Sequence, residues 1–265
     1  MRRLGLAVIL LALGLISCAA IEPKLVIRYD QEGEPIELER LVKGREAVWS
    51  PDGKKMAFVQ DGIHILDLAK RESPQSLTPA GRNPSWSPDG RYIAYADRGI
   101  WLVNLSDGHT RRIADIGHDP AWLADSRQVA YAADGIWAVD INTSQARQLL
   151  PKGISPVPAP GNNQLLFEVF NPERYEFDLR RTDLDKNSSQ SIVNDATDPA
   201  WSPDGNYILY NSIGIWVAEN DGRQAQRLTV YGPCPRWSPR GDMILFGYQG
   251  YIWMFSSPFK LKPLD

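Results

Sequence analysis

Short apolar segments separated by turn residues recur along this chain, and two of them are nearly identical. Residues 86–95 read WSPDGRYIAY and residues 201–210 read WSPDGNYILY. Proline presets φ at the second turn position and glycine accepts a positive φ, so each phrase predicts a strand, a tight turn and a second strand. A Gly-Ile-Trp sequence follows in both places and predicts the start of a third strand.

The phrase returns at nearly constant spacing, which indicates a repeat protein. Its tryptophans are 37, 36, 79 and 36 residues apart, and the gap of 79 accommodates two units. Residues 161–167 align with 204–210, so Pro158 stands at the tryptophan position of the missing copy. The chain therefore contains six units. The five tryptophans are Trp49, Trp86, Trp122, Trp201 and Trp237.

Each unit holds four predicted strands. In the second unit the first strand ends at Trp86, and the others cover 93–96, 100–104 and 111–113. A period near forty residues with four strands per repeat is typical of β-propeller blades.

The sixth unit lacks its own last strand. Residues 237–255 supply three strands, whereas the alternating segment 36–42 precedes the first unit. An open ring leaves unpaired sheet edges, so we expect 36–42 to complete the sixth unit. Residues 260–264 are the alternative, disfavoured because Pro263 cannot donate to a ladder. The sequence thus predicts an all-β fold, a six-bladed β-propeller of four-stranded antiparallel blades over residues 36–265, closed by an N-terminal strand.

The first residues follow the plan of a secretory signal. Two arginines precede an apolar run over 4–16 that is too short for a comfortable transmembrane span. The run ends in Leu-Ile-Ser-Cys, which resembles the bacterial lipobox. We expect residues 1–17 to be a signal peptide, Cys18 to be lipidated and residues 18–35 to include a short tether. An ordinary cleaved signal or a short membrane anchor is the alternative.

The repeat resembles the TolB-type β-propeller repeat. The WSPDG turn, the apolar strand, Gly-Ile-Trp and a closing Arg-Leu-Thr such as 227–229 carry the resemblance over about residues 36–256. It implies a cell-envelope protein whose partners engage the channel region. TolB itself is soluble in the periplasm and has an α/β domain before its propeller. Here Cys18 implies an anchor instead, on the periplasmic face of the outer membrane if the cell is Gram-negative.

Composition argues against several classes of function. The net charge is −3 and no segment is strongly basic, so we expect no nucleic-acid binding. With three histidines and two cysteines, we expect no metal site and no cofactor. The sequence has no G-x-S-x-G, no H-E-x-x-H and no phosphate-binding glycine loop, so we predict that the protein is not an enzyme.

The residue pairs just before each tryptophan position form the candidate site. The first strand of a blade is innermost, so its start faces the mouth of the central channel. We predict that these pairs bind the partner; solvated residues that cap the strands are the alternative. As strand neighbours, His118 and Asp119 should point to opposite faces. The predicted set is Arg45, Glu46, Arg82, Asn83, His118, Asp119 and Asp198.

Two further features of the sequence are candidates for a functional role. The fourth unit lacks the WSPDG turn and has a longer loop, in which Phe170, Arg174 and Tyr175 are candidate partner contacts; drift of one blade is the alternative. Cys234 has no partner for an internal disulfide once Cys18 is lipidated, so it is either a small buried residue or a reactive or metal-binding one.

The nine tryptophans fall into two repeat columns, which predicts packing between blades rather than a carbohydrate-stacking platform. The aspartates of the WSPDG phrase should serve the turn. We therefore predict a monomeric, lipid-anchored envelope propeller that binds a protein or peptide as a scaffold or accessory factor. A small-ligand or glycan-binding lipoprotein and a propeller hydrolase or lyase are the alternatives.

Overall fold

Six antiparallel sheets follow one another along the chain and around a ring. The computed structural model describes residues 25–29, 35–71, 73–186 and 188–259, with side chains from residue 37 onward. The predictions for residues 1–24, including the signal peptide and lipidation of Cys18, lie outside this part of the chain, as does the alternative strand at 260–264. Among the described residues no helix is long and apolar enough to cross a membrane.

The predicted architecture is confirmed: the fold is all-β, with six blades of four antiparallel strands and no helix in the described residues. The chain begins with β1 (Leu25–Tyr29) and β2 (Pro35–Lys43). Blade 1 contains β3 (Arg45–Trp49), β4 (Lys55–Val59), β5 (Ile63–Asp67) and β6 (Gln75–Ser76). Blade 2 contains β7 (Arg82–Trp86), β8 (Tyr92–Ala96), β9 (Ile100–Asn104) and β10 (Thr110–Ala114). Blade 3 contains β11 (His118–Trp122), β12 (Gln128–Ala133), β13 (Gly135–Asp140) and β14 (Ala146–Leu150).

The second half of the ring repeats this plan. Blade 4 contains β15 (Ile154–Pro158), β16 (Gln164–Asn171), β17 (Glu176–Asp183) and β18 (Ser188–Val193). Blade 5 contains β19 (Thr197–Trp201), β20 (Tyr207–Asn211), β21 (Ile215–Glu219) and β22 (Gln226–Arg227). Blade 6 contains β23 (Arg236–Trp237), β24 (Met243–Tyr248) and β25 (Tyr251–Ser256).

The N-terminal strand closes the ring, as predicted. Strand β2 pairs antiparallel with β25, with Glu39 opposite Met254, and β1 adds a fifth strand outside it. Leu38 is only 4% exposed and packs in the apolar cluster that contains Trp253 and Phe255. Closure therefore rests on both ladder hydrogen bonds and buried apolar surface.

The core lies between neighbouring blades. Six apolar clusters occur in the described residues, and each joins two adjacent blades around the ring. The first tryptophan column adds polar links across the same boundaries. The indole Nε1 of Trp122 donates to Ser85 O in the preceding blade at 3.0 Å, and that of Trp201 donates to Val157 O at 3.0 Å. Pro158 occupies the equivalent strand position in blade 4, as predicted.

The aspartates of the WSPDG phrase do serve the turn. Ser50 Oγ donates to Asp52 Oδ1 at 2.6 Å and accepts from the amide of Lys55 at 2.9 Å. In blade 6 an arginine replaces the aspartate of the phrase. There Ser238 Oγ donates instead to Asp242 Oδ1 at 2.6 Å, so the same turn is held by a carboxylate from two residues further on.

Strand direction defines two faces of the ring. First strands begin at one face, which we call the mouth face, and end at the opposite face. Because the strands are antiparallel, the hairpins between second and third strands lie on the mouth face. The links that lead from one blade to the next first strand lie there too.

Candidate functional site

In every blade a residue in the left-handed region lies at the entry to the first strand: it is the second residue of that strand in blades 1 to 5 and stands two residues before β23 in blade 6. These six residues have φ between 49° and 55°, and none is glycine. The strand register shifts at the same place in the five blades whose first strand starts there, for example between Arg45 and Val48, so the residue forms a β-bulge. A bulge redirects its side chain, and here all six line the channel. We call them the channel ring: Glu46, Asn83, Asp119, Ser155, Asp198 and Cys234.

A glycine precedes the pair in five of the six blades. At Gly153, where φ is +120°, an added Cβ would lie 2.7 Å from Cδ2 of Phe167. The chain therefore has to run tightly over a core aromatic ring before it turns into the channel. This column was a sequence signal for the bulge that the prediction did not use: Gly44, Gly81, Gly117, Gly153 and Gly232.

The channel ring encloses a cavity of about 210 Å³ at the mouth face. Its side chains are held by hydrogen bonds that run between blades. Glu46 Oε2 accepts from the amide of Asn83 at 2.6 Å, and Asp198 Oδ2 accepts from the amide of Cys234 at 3.1 Å. Ser155 Oγ donates to Asp119 Oδ2 at 3.3 Å. The carboxylates are thus fixed in place before any ligand arrives.

The first members of the predicted pairs lie outside the cavity. Arg45 and Arg82 are exposed on the mouth face, and Arg45 Nε contacts Glu46 Oε1 at 3.2 Å. The prediction that His118 and Asp119 point apart was wrong, because His118 Nδ1 lies 2.9 Å from Asp119 Oδ2. The left-handed conformation of Asp119 breaks strand alternation, and the hydrogen bond to Asp119 raises the pKa of His118.

A buried carboxyl lies behind the ring. Glu168 on β16 is 4% exposed, and its Oε1 accepts from the amide of Asp198 at 2.9 Å. Burial raises the pKa of Glu168 to about 7, although the bond from Asp198 opposes the shift. Glu168 is not among the site residues predicted from the sequence. The usable signal was a charge where the other second strands carry small or uncharged residues: Val59, Ala96, Ala132, Asn211 and Gly247.

Among the residues that the structure describes, one cationic side chain, that of Arg236, lines the mouth cavity. Arg236 Nη1 donates to Pro235 O at 2.9 Å, while its own carbonyl accepts from the indole of Trp49 at 3.2 Å. Arg236 is also absent from the set of site residues predicted from the sequence. The other first strands carry small or apolar residues at this position: Val48, Ser85, Ala121, Val157 and Ala200.

The Cys234 thiol is held in its neutral form. Burial raises the pKa of Cys234 to about 12, and the charge of Asp198 acts in the same direction. The Cys234 thiol lies 3.4 Å from Asp198 Oδ1. Because the thiolate is the reactive form, this environment gives an inert cysteine. Within the described residues, no group of three or more histidine, cysteine or carboxylate side chains is arranged to hold a metal ion.

The opposite end of the channel is apolar. A second cavity of about 470 Å³ opens there between the ends of the first strands. Tryptophans of the first column line it together with prolines of the turns, so these indoles face the channel as well as the neighbouring blade. They are Trp49, Trp86, Trp122, Trp201 and Trp237.

The longer loop of the fourth unit forms the end of a long hairpin on the mouth face. Phe170 is 46% and Tyr175 85% exposed, and their rings meet edge to face at 5.9 Å. Arg174 is turned back onto its own hairpin, where it pairs with Glu176 and Asp178. The rings of Phe170 and Tyr175 are therefore accessible to a partner, whereas the guanidinium of Arg174 is already paired with carboxylates of its own hairpin.

The ring of blades is that of a six-bladed β-propeller. Among solved structures, the chain is similar to a protein described as TolB from Agrobacterium tumefaciens, with a TM-score of 0.68 and 19% identity over 84% of this chain and 98% of that one. It is also similar to TolB from Acinetobacter baumannii, with a TM-score of 0.59 and 17% identity over 88% of this chain and 62% of that one.

A third similar structure is hydrazine synthase from Kuenenia stuttgartiensis, with a TM-score of 0.59 and 13% identity over 89% of this chain and 78% of that one. At these identities the likeness shows the shared fold. No family model and no curated protein matched the sequence.

Proposed function

We propose that this chain is a lipid-anchored cell-envelope propeller that binds a protein or peptide partner at the mouth of its channel, as a scaffold or accessory factor. The observation that carries this proposal is the channel ring. Its six left-handed residues bring three carboxylates into one cavity, and hydrogen bonds between blades hold those carboxylates there. Preorganised polar groups of this kind bind with little ordering cost.

The size of the cavity favours a side chain or a chain terminus over a free small molecule. Pockets for small ligands usually enclose about 300–1,000 Å³, and the mouth cavity encloses about 210 Å³. A partner that lies on the mouth face and inserts one group fits that space. At the mouth face, therefore, cavity size favours a protein or peptide over a small ligand or glycan; the larger cavity of about 470 Å³ lies at the opposite end of the channel.

Chemistry at this site argues for binding rather than catalysis. The cysteine of the ring has a thiol pKa of about 12 and so stays protonated near neutrality. The imidazole of the ring region is engaged by Asp119, not by a hydroxyl or thiol nucleophile. Nucleophilic catalysis by a serine or cysteine usually relies on an imidazole within hydrogen-bond reach of that group. Here the Ser155 hydroxyl donates to Asp119 and the Cys234 thiol lies against Asp198, so carboxylates, and not His118, are their partners.

The envelope location rests on the N-terminal sequence. The signal-like run and the lipobox-like ending at Cys18 support secretion and acylation. Similarity of the fold to TolB proteins supports the same compartment.

Comparison of matched carboxylate variants tests the binding site. Glu46→Gln, Asp119→Asn and Asp198→Asn are combined, and Asp107→Asn with Asp185→Asn on the opposite face serves as the control. Each protein is crosslinked in cells and purified from detergent-extracted envelopes. We expect a reproducible partner with the wild type and the control, and about tenfold less with the triple variant. Equal recovery with the triple variant would exclude the channel mouth, and stabilisation by a small molecule without any partner would favour the ligand-binding alternative.

A further inference from the structure

The exposed apolar side chains of this protein are gathered on one face. Six large apolar residues are exposed in the described part of the chain, and all six lie on the mouth face, five of them in loops and Phe170 near the end of β16. Ile116 stands apart, in the link between blades 2 and 3. The other five occupy the blade 4 hairpin, the blade 5 hairpin and the link between blades 5 and 6. We call these five the apolar arc: Phe170, Tyr175, Ile213, Val230 and Tyr231.

The blade 4 hairpin extends further from the mouth face than the equivalent hairpins of the other blades. Its strands β16 and β17 have eight residues each, whereas second and third strands in the other blades have five or six. Three extra residues extend a strand by about 10 Å. At the end of the hairpin, Phe170 contacts Tyr175 at 5.9 Å and Phe177 at 5.4 Å between ring centroids. The rings therefore hold one another in place before a partner binds.

Ile213 is unfavourable for the isolated propeller in two ways. It is 80% exposed, and it adopts a left-handed φ of +48° that is a genuine outlier for a β-branched residue. Equivalent hairpins carry Asp61, Arg98 and Gln249 in the same conformation. A residue that is poor in both respects is expected where another molecule covers it.

The blade 4 end of the arc is acidic, whereas at the blade 5 hairpin the guanidinium of Arg227 donates to the carbonyl of Ile213. The end of the blade 4 hairpin carries Glu173, Glu176 and Asp178 against the single guanidinium of Arg174. The neighbouring channel ring adds carboxylates, of which Asp198 belongs to blade 5. A complementary surface would be apolar with basic residues around it.

We propose that the apolar arc docks a partner protein segment in which aliphatic or aromatic anchors are flanked by lysine or arginine. This inference rests on the proposed function in that both place the partner on the mouth face. It adds a second contact region, over blades 4 to 6, and the chemistry of the segment that covers it. Aromatic and aliphatic anchors supply the affinity, and the acidic hairpin selects against acidic segments.

Defined peptides test the arc directly. Three acetylated peptides of equal length combine leucine and tryptophan with lysine, leucine and tryptophan with glutamate, or serine and glycine with lysine. Binding to the full chain is measured by fluorescence anisotropy, and protected segments are mapped by hydrogen exchange. We expect the apolar lysine peptide to bind at least about tenfold more tightly than the other two, to weaken with added salt, and to protect residues 169–177 and 212–214.

Ile213→Asn separates docking from folding. Asparagine tolerates the left-handed conformation, so this variant should melt about 2–3 °C higher while binding the apolar lysine peptide at least about tenfold less tightly. Ile116→Asn, the same change on the same face outside the arc, should leave that affinity unchanged. Tyr175→Ser, at an exposed side chain, should weaken binding as Ile213→Asn does.

Several results would overturn the inference. These are a preference for the glutamate peptide, no binding of any peptide, or equal loss in Ile213→Asn and Ile116→Asn. A dimer in solution that Ile213→Asn dissociates would assign the arc to a second copy and also overturn it. The channel carboxylate variants keep the two proposals apart. If they abolish partner recovery while the arc variants change nothing, only the arc fails, and the opposite pattern would leave the arc and exclude the channel.

Discussion

The amide of Asp198 in blade 5 donates a hydrogen bond of 2.9 Å to Glu168 Oε1 in blade 4, so a buried carboxyl joins two neighbouring blades behind the channel mouth. The carboxyl is 4% exposed, and burial raises its pKa from 4.5 to about 7. The Glu168 carboxyl therefore contacts a residue of the channel ring across a blade boundary, and its protonation changes with pH in the neutral range.

Glu168 should make stability depend on pH. Between about pH 4.5 and pH 7 the unfolded chain loses this proton while the folded chain keeps it, so the free energy of unfolding falls as pH rises through that window and then levels off. The total change is on the order of 3 kcal/mol. Glu168→Gln retains an oxygen acceptor for the Asp198 amide and has no charge to bury. It should therefore be more stable than the wild type at pH 8 and lose most of this slope, as measured by urea unfolding at pH 5 and pH 8.

Glu173→Gln is the matched control, because Glu173 is an exposed glutamate of the same hairpin. It should keep the wild-type dependence on pH. Parallel curves for Glu168→Gln and the wild type would show that the buried carboxyl does not couple to folding.

The closing strand should contribute to stability through its side chains as well as its ladder. Leu38 is 4% exposed and packs with residues of blade 6. Leu38→Ala should lower the free energy of unfolding by about 2–5 kcal/mol. Ile116→Ala removes an aliphatic side chain that is 66% exposed, so it should stay within about 0.5 kcal/mol of the wild type. Thermal and urea unfolding measure the stability of the two variants. Equal effects of the two substitutions would argue against closure of the propeller by the N-terminal strand.

The fold could be predicted from this sequence because the blades repeat one arrangement of turn residues and apolar strands, from which only the fourth unit departs clearly. Turn residues and apolar strands identify each blade, and even Pro158 could be placed by alignment of the repeats. Closure by residues 36–42 followed from the physical need to leave no open edge.

The site was harder to predict because it depends on departures from the repeat. The pairs before each tryptophan were located, but strand alternation gave the wrong direction for Asp119, whose left-handed bulge turns it toward His118. Glu168 and Arg236 each occur once, at positions that are small or uncharged in other blades, and their meaning depends on contacts between blades. Contacts between blades depend on how the six blades are arranged around the propeller, and local sequence patterns carry no information on that arrangement.

Cys234 should resist alkylation in the folded protein. Its thiol pKa of about 12, raised by burial and by the charge of Asp198, leaves almost no thiolate at pH 8. In a Cys18→Ser background, labelling by iodoacetamide should be at least about 100-fold slower in buffer than in urea. The folded-state rate should still rise with pH at pH 10.

Asp198→Asn provides the internal comparison for Cys234. It removes a negative charge that raises the thiol pKa, so labelling should become faster at each pH. A plateau in the wild-type rate below pH 10 would contradict the raised pKa, and an unchanged rate in Asp198→Asn would exclude the charge of Asp198 as a cause.

Lipidation should depend on one of the two cysteines. The lipobox-like ending makes Cys18 the expected acylation site, whereas Cys234 lies in the channel ring of the folded domain. In cells fed an alkyne fatty acid, the wild type should acquire the label and sediment with membranes, because more than one acyl chain gives stable anchoring. Cys18→Ala should lose the label, and Cys234→Ala should keep both label and sedimentation. Label retained by Cys18→Ala, or no label on the wild type, would exclude the lipid anchor while leaving the propeller and its channel mouth as described.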